Sequence, residues 1–254
     1  MTTEICLNYP HDARTLQPMQ LRSSEIALLA LEVRSQLVSS RTVKLDLATM
    51  MRASRQMHVN GHSFDSHWEL RDELLGEQGI PAFGLVDFDR ELPRTAMVFL
   101  DEKEVAARDY LARSTAAHEL AHLIFDAPWR LRHIQRTGDL PAEHQRRLML
   151  PKDRARPRTG PEWEEWRANE FMGAFLAPMR LLHSQMLQVC AGIRVPRRAN
   201  AFGRLVIDGR KVDRDVIQLV IDEVAERFGL SSDFIDYRFR RYQLVQPEPG
   251  PIHA

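Results

Sequence analysis

In this 254-residue chain His118 and His122 stand four apart with a glutamate after the first, in Thr115-Ala116-Ala117-His118-Glu119-Leu120-Ala121-His122-Leu123-Ile124-Phe125. On a helix, positions i and i+4 lie one turn apart on one face, so both imidazoles can grip a single metal ion. Glu119 sits beside the first of them, about 100° around the helix, where its carboxylate can reach a water at such an ion. That is the spacing of a zinc-peptidase helix, with the glutamate as general base rather than ligand. A catalytic zinc site takes three protein ligands and leaves a position open, lowering the pKa of bound water to about 7. Glu165 can complete a two-His, one-Glu set. Asn169, four residues on and on the same helical face, suits a hydrogen bond that fixes the tautomer of a ligand imidazole. Glu162 and Glu164 compete with Glu165 for the third place, and spacing does not separate them.

These side chains need two helices and a wall. Asp101, with Glu104 three residues on, is a capping pair for a helix that carries the histidines and is bounded by Pro128. A second helix starts near Thr159–Glu162, with Pro161 in its first turn and Glu162, Glu164 and Glu165 at its positive end; Pro178 marks its exit or a kink. Earlier, Ser23 or Ser24 caps a helix to about Val38, and a shorter one covers Leu45–Arg55. The pattern from Gln56 to Leu100 reads as strands: a run near Met57–Trp68, then Gly84–Phe88 and Ala96–Leu100. The last of these lies just ahead of the metal helix and can take an added β-strand of substrate. Beyond residue 200, Leu205–Ile207 and Arg210–Val212 read as a hairpin about Asp208–Gly209. Helices then fit Asp213–Phe228 and Asp233–Tyr242, and a proline-containing tail, Gln246–Ala254, reads as disordered.

Composition narrows the class. Lys+Arg and Asp+Glu balance at 35 each, and 44% of the residues are hydrophobic, as in an ordinary globular protein. The apolar run Ile26–Leu31 is far too short to span a bilayer, and residues 1–20 lack a secretory pattern. Cys6 and Cys190 cannot build a disulfide framework or a cysteine zinc site. The expectation is a cytoplasmic protein. The balance hides an acidic stretch, 63–104, and a basic connector, 126–160, an asymmetry that points to partners or to packing.

Taken together, Arg113, the Thr115–Phe125 segment and Glu165-Trp166-Arg167-Ala168-Asn169-Glu170-Phe171-Met172-Gly173-Ala174-Phe175-Leu176-Ala177-Pro178 resemble the ImmA/IrrE family of bacterial metalloendopeptidases. Val224–Ser231 is similar to the helix-turn-helix-like close of those domains, and the resemblance runs over roughly 84–245. Ala121 replaces the usual glycine before the second histidine, Ser114 replaces a phenylalanine, and Leu176-Ala177-Pro178 replaces Leu-Met-Pro. The resemblance implies an α+β, zincin-like domain with a small sheet beside the metal helix. It implies Zn2+ held by His118, His122 and Glu165, with Glu119 catalytic. It also implies a protein substrate, a helix-turn-helix transcriptional repressor. The expected organisation is an N-terminal extension (1–83), a metallopeptidase core (84–190), a C-terminal hairpin and helical pair (191–245), and the tail (246–254).

Two other function classes stand beside the endopeptidase. One is a non-proteolytic, zinc-containing antirepressor or antitoxin-like binding protein. The other is a DNA-binding regulator, in which Arg238, Arg240 and Arg241, with Arg194, Arg197, Arg198, Arg204 and Arg210, meet phosphate. Against direct DNA contact, Phe234, Ile235, Tyr237, Phe239 and Tyr242 read as the buried face of the last helix. His58, His62 and His67 read as hairpin residues, with His67 facing away from the other two. Tyr110 and His133 are the available side chains for stabilising an oxyanion.

Overall fold

A computed structural model describes residues 4–75, 81–141 and 160–246. The chain divides into two compact units, Met1–Leu176 and Ala177–Ala254. The first is built on a mixed sheet of five strands among the described residues, in the order β1-β2-β3-β5-β4. These are β1 (Ile5–Leu7), β2 (Gln56–Val59), β3 (His62–Arg71), β4 (Gly84–Phe88) and β5 (Thr95–Asp101). β1 runs parallel to β2, and β3 parallel to β5, while the β2–β3 and β4–β5 pairs are antiparallel. Residues on both sides of the expected 83/84 boundary therefore share one sheet.

β2 and β3 form a hairpin about Asn60 and Gly61, whose φ values of 53° and 74° are those a primed two-residue turn requires. Strand alternation then buries Met57, Val59, His62 and Phe64 on one face and exposes His58, Ser63, Asp65 and His67 on the other. This corrects the expected grouping of the three histidines. The turn pairs His62 with Val59, so His62 goes inward while His58 and His67 stay outside; His58 Nδ1 lies 2.7 Å from Ser63 Oγ. β5 lies between β3 and β4, so both its edges are occupied. Among the described residues the strand free to take another is β4, not the expected Ala96–Leu100. The far edge, β1, is closed by the Gln36 amide, which accepts from Cys6 N at 2.9 Å and donates to Cys6 O at 2.8 Å.

Helices cover the apolar face. α1 (Ser23–Leu37) buries Ile26, Ala30 and Val33 along one stripe, and α2 (Leu47–Ala53) starts where Asp46 accepts from Thr49 N at 3.0 Å. Asp101 caps α3 (Glu102–Ala107) by accepting from Glu104 N at 3.0 Å. The single helix expected from Asp101 to Pro128 is instead broken at Arg108 (φ −142°, ψ 88°) into α3 and α4 (Asp109–Phe125). The break lets α3, with no buried residue, stay at the surface while α4 turns into the core. Pro128 does not end that helix; it sits in the first turn of α5 (Ala127–Thr137), where its missing N–H costs nothing. The rest of the basic connector, 142–159, lies outside the described residues. α6 (Gly160–Leu176) packs along both α1 and α4. Ala116, Ala117 and Ala121 of α4 are fully buried, small enough to let helices and sheet approach closely.

The second unit contains α7 (Met179–Gly192), α8 (Arg214–Phe228), α9 (Ser232–Arg241) and a small sheet in the order β6 (Arg197–Ala199), β7 (Leu205–Asp208), β8 (Val245–Gln246). Pro178 is the residue that precedes α7 as its cap. The expected hairpin about Asp208–Gly209 does not form. β7 pairs instead with β6 and β8, and a methyl group at Gly209 would lie 2.5 Å from Gln246 O. Gly229, left-handed at φ 63°, ends α8, and Ser231 caps α9 by accepting from Phe234 N. Gln246 ends β8, and the remainder of the expected tail lies outside the described residues. Among the described residues no helix is long and apolar enough to cross a membrane.

Candidate metal centre

α4 brings its two histidines to one face, and α6 lays Glu165 against them. His118 Nε2 and His122 Nε2 are 3.1 Å apart; Glu165 Oε2 is 3.2 Å from the first and Glu165 Oε1 is 3.4 Å from the second. One ligand atom from each residue lies within 4.8 Å of the others, close enough to hold one metal ion. Of the three acids in the first turns of α6, Glu165 is the one with the imidazoles. Glu164 is turned to the buried guanidinium of Arg130, 2.7 Å away, and Glu162 is buried outside the cluster.

His122 is almost completely buried, and its Nδ1 lies 2.6 Å from Asp126 Oδ2. The other oxygen, Asp126 Oδ1, accepts from Arg167 Nη2 at 2.8 Å. This orienting carboxylate was missed in the sequence, although it stands four residues beyond His122, one turn further along the same face. Asn169, expected in that role, is exposed and makes no hydrogen bond to either imidazole among the described residues.

The charges here are strongly coupled. Burial disfavours an imidazolium at His122, but Glu165 and Asp126 outweigh it and raise its pKa to about 10 in the absence of metal. Burial likewise works against an ionised Glu165, yet His122 and His118 hold its carboxyl well below the usual carboxylate range. Burial opposes ionisation of Asp126 too, and Arg167 and His122 bring its pKa down to about 2. Glu164 shows the opposite balance: burial and the charge of Asp126 push it up to about 7 against the pull of Arg130.

Glu119 is 4% exposed, and its Oε2 is buried without a hydrogen-bond partner among the described residues. A carboxylate oxygen left in that state is costly unless something comes to meet it. Its position is shaped by Gly84 of β4. A methyl group there would sit 2.7 Å from Glu119 Oε1 and 2.6 Å from Thr115 Cγ2, so only glycine lets the strand pass this close. Asp101 N donates to Phe83 O at 3.0 Å, and antiparallel alternation from that pair turns the N–H and C=O groups of Gly84 and Val86 outward. Those outward groups have no partner among the described residues.

The other expected residues fall elsewhere. Arg113 is buried and structural: its Nε donates to Leu45 O at 2.9 Å and its guanidinium pairs with Asp109. Tyr110 is 39% exposed two turns before His118, His133 is half-buried on α5, and among the described residues neither side chain hydrogen-bonds to His118, His122 or Glu165. Arg238 is buried at 3% exposure, its guanidinium stacked 4.4 Å from the Tyr242 ring, which removes it from any nucleic-acid surface. Arg240 pairs with Asp236 at 3.2 Å. Tyr237, expected in the buried face of α9, is exposed.

No protein-family model, curated protein or solved structure matches this chain.

Proposed function

We propose that the protein is a zinc-dependent endopeptidase whose ligands are His118, His122 and Glu165 and whose general base is Glu119. The observation that carries the reading is the convergence of two imidazoles and one carboxylate from separate helices. Next to His118 in the chain, the buried Glu119 has a carboxylate oxygen without a hydrogen-bond partner among the described residues. Two neutral imidazoles and a carboxylate are a donor set that suits zinc and leaves a coordination position open. Zinc, when bound, supplies Lewis acidity that polarises the scissile carbonyl and lowers the pKa of water to about 7.

The chain's own residues supply the rest. Glu119 takes a proton from the attacking water and returns it to the leaving amine. Gly84 and Val86 offer outward N–H and C=O groups to an extended peptide, which adds as a strand beside the triad. Backbone pairing of this kind binds without reading sequence, so substrate choice rests with side chains around the edge. A helix-turn-helix repressor remains the proposed protein substrate, on the strength of the ImmA/IrrE resemblance.

The test is zinc-loaded protein and Glu119→Gln incubated with a mixed peptide library read by mass spectrometry. The variant keeps its zinc and cleaves about 10²–10⁴-fold more slowly. Equal cleavage by both forms refutes the assignment. A Glu119→Gln protein that still relieves repression in cells would instead favour the antirepressor reading, in which binding suffices.

A further inference from the structure

We infer that Arg167 is a positioning residue for the ligand His122, acting through Asp126; the inference rests on the metal-centre reading above. Asp126 lies at the junction of α4 and α5, one residue past the last residue of α4. A side chain at a helix end is not held by its own helix. Its carboxylate is nonetheless 1% exposed and engaged on both oxygens, by His122 Nδ1 at 2.6 Å and by Arg167 Nη2 at 2.8 Å. Arg167 Nε has no hydrogen-bond partner among the described residues, so the guanidinium is held chiefly through Nη2 on Asp126. The Phe125 ring lies 5.9 Å from the guanidinium carbon.

The consequence is a closed loop of side chains. Glu165 reaches His122 from its Nε2 side, and Arg167, two residues further along α6, reaches it from the Nδ1 side through Asp126. With Asp126 fixed, Nδ1 keeps a proton and Nε2 is presented toward Glu165 and His118. A carboxylate accepting from a ligand imidazole raises its basicity and fixes its ring. Here the carboxylate is itself fixed from the helix that carries the third ligand. Asn169 is exposed and does not take this part.

A purely structural ion pair between α4 and α6 would affect folding and leave the metal alone. Full-length Arg167→Met, Arg167→Lys and the double variant Asp126→Leu/Arg167→Met separate the two. The double variant has lost Asp126 as well and marks the affinity left when His122 has no orienting carboxylate. Arg167→Lys, which keeps the buried carboxylate paired with a cation, decides the matter if the single methionine variant fails to fold. Zinc affinity is measured by chelator competition, and the Co2+-loaded protein by its visible absorption. Arg167→Met and the double variant bind zinc about 10–100-fold more weakly than wild type, with a displaced Co2+ band. Arg167→Lys recovers part of both. Wild-type affinity and an unchanged band in the folded Arg167 single variants overturn the inference while leaving the metal centre intact. A wild-type chain that binds neither zinc nor cobalt overturns the metal-centre reading, and this inference with it.

Discussion

At His122, Glu165 and Asp126 outweigh burial and raise the imidazole pKa to about 10, so near pH 8 the metal-free ring carries both its protons. Coordination through Nε2 must expel one of them, while Asp126 retains the other on Nδ1. Glu165, already ionised, has none to give. Metal uptake at pH 8 is therefore accompanied by release of about one proton from His122, and affinity strengthens as pH rises toward 10 and levels off beyond it. Calorimetric titration in two buffers of different ionisation enthalpy measures that proton; uptake with no net release contradicts the charge state described here. His118, Glu119 and His122 were legible in the sequence because one helix turn relates them. Spacing did not separate Glu165 from Glu162 and Glu164; the family resemblance pointed to Glu165, and what sets it apart is where α6 faces and Arg130 engaging Glu164. The orienting acceptor was missed for a related reason. Asn169 lies in register with Glu165 along the helix, but that register turns it to solvent.

Between elements, the decisive contact is β4 against α4. Gly84 admits the strand to the face of the helix that carries Thr115 and Glu119, and any Cβ there must displace one of them. Gly84→Ala moves the Glu119 carboxylate while leaving His118, His122 and Glu165 in place. The expected result is an unchanged zinc content with kcat reduced about 10–100-fold, as small displacements of a catalytic group produce. Metal analysis beside initial rates checks this; loss of zinc, or an unchanged kcat, would refute it. The strands 84–88 and near 96–100 were readable from apolar runs between turn residues. Their order was not, because pairing is a long-range choice that alternation leaves open. Hence β5 was expected to receive substrate, whereas it lies between two neighbours and β4 holds the open edge. The division into α3 and α4 carried no glycine or proline to announce it. What separates the pair is burial, nearly complete along α4 and absent along α3.

For the whole molecule, the triad His118, His122 and Glu165, Glu119 and the edge strand β4 all belong to the unit Met1–Leu176. The strands before residue 84 are part of the sheet that supports this site, a role that composition and periodicity did not reveal. Two helices of the unit Ala177–Ala254, α8 and α9, were legible in the sequence, whereas α7 was not read. The hairpin read at Asp208–Gly209 failed because a turn-forming dipeptide also suits a strand end where another backbone, that of Gln246, comes close. The nucleic-acid reading of this unit loses Arg238, which serves its interior. The proposed activity therefore turns on the first unit and on whether its triad takes metal. The most direct measurement is the metal content of freshly purified protein by elemental mass spectrometry, with Glu165→Ala alongside. The account predicts about one zinc per chain in the wild type and little or none in the variant. A wild-type chain without zinc, even after zinc is added back, or a variant that holds it equally well, would contradict the account.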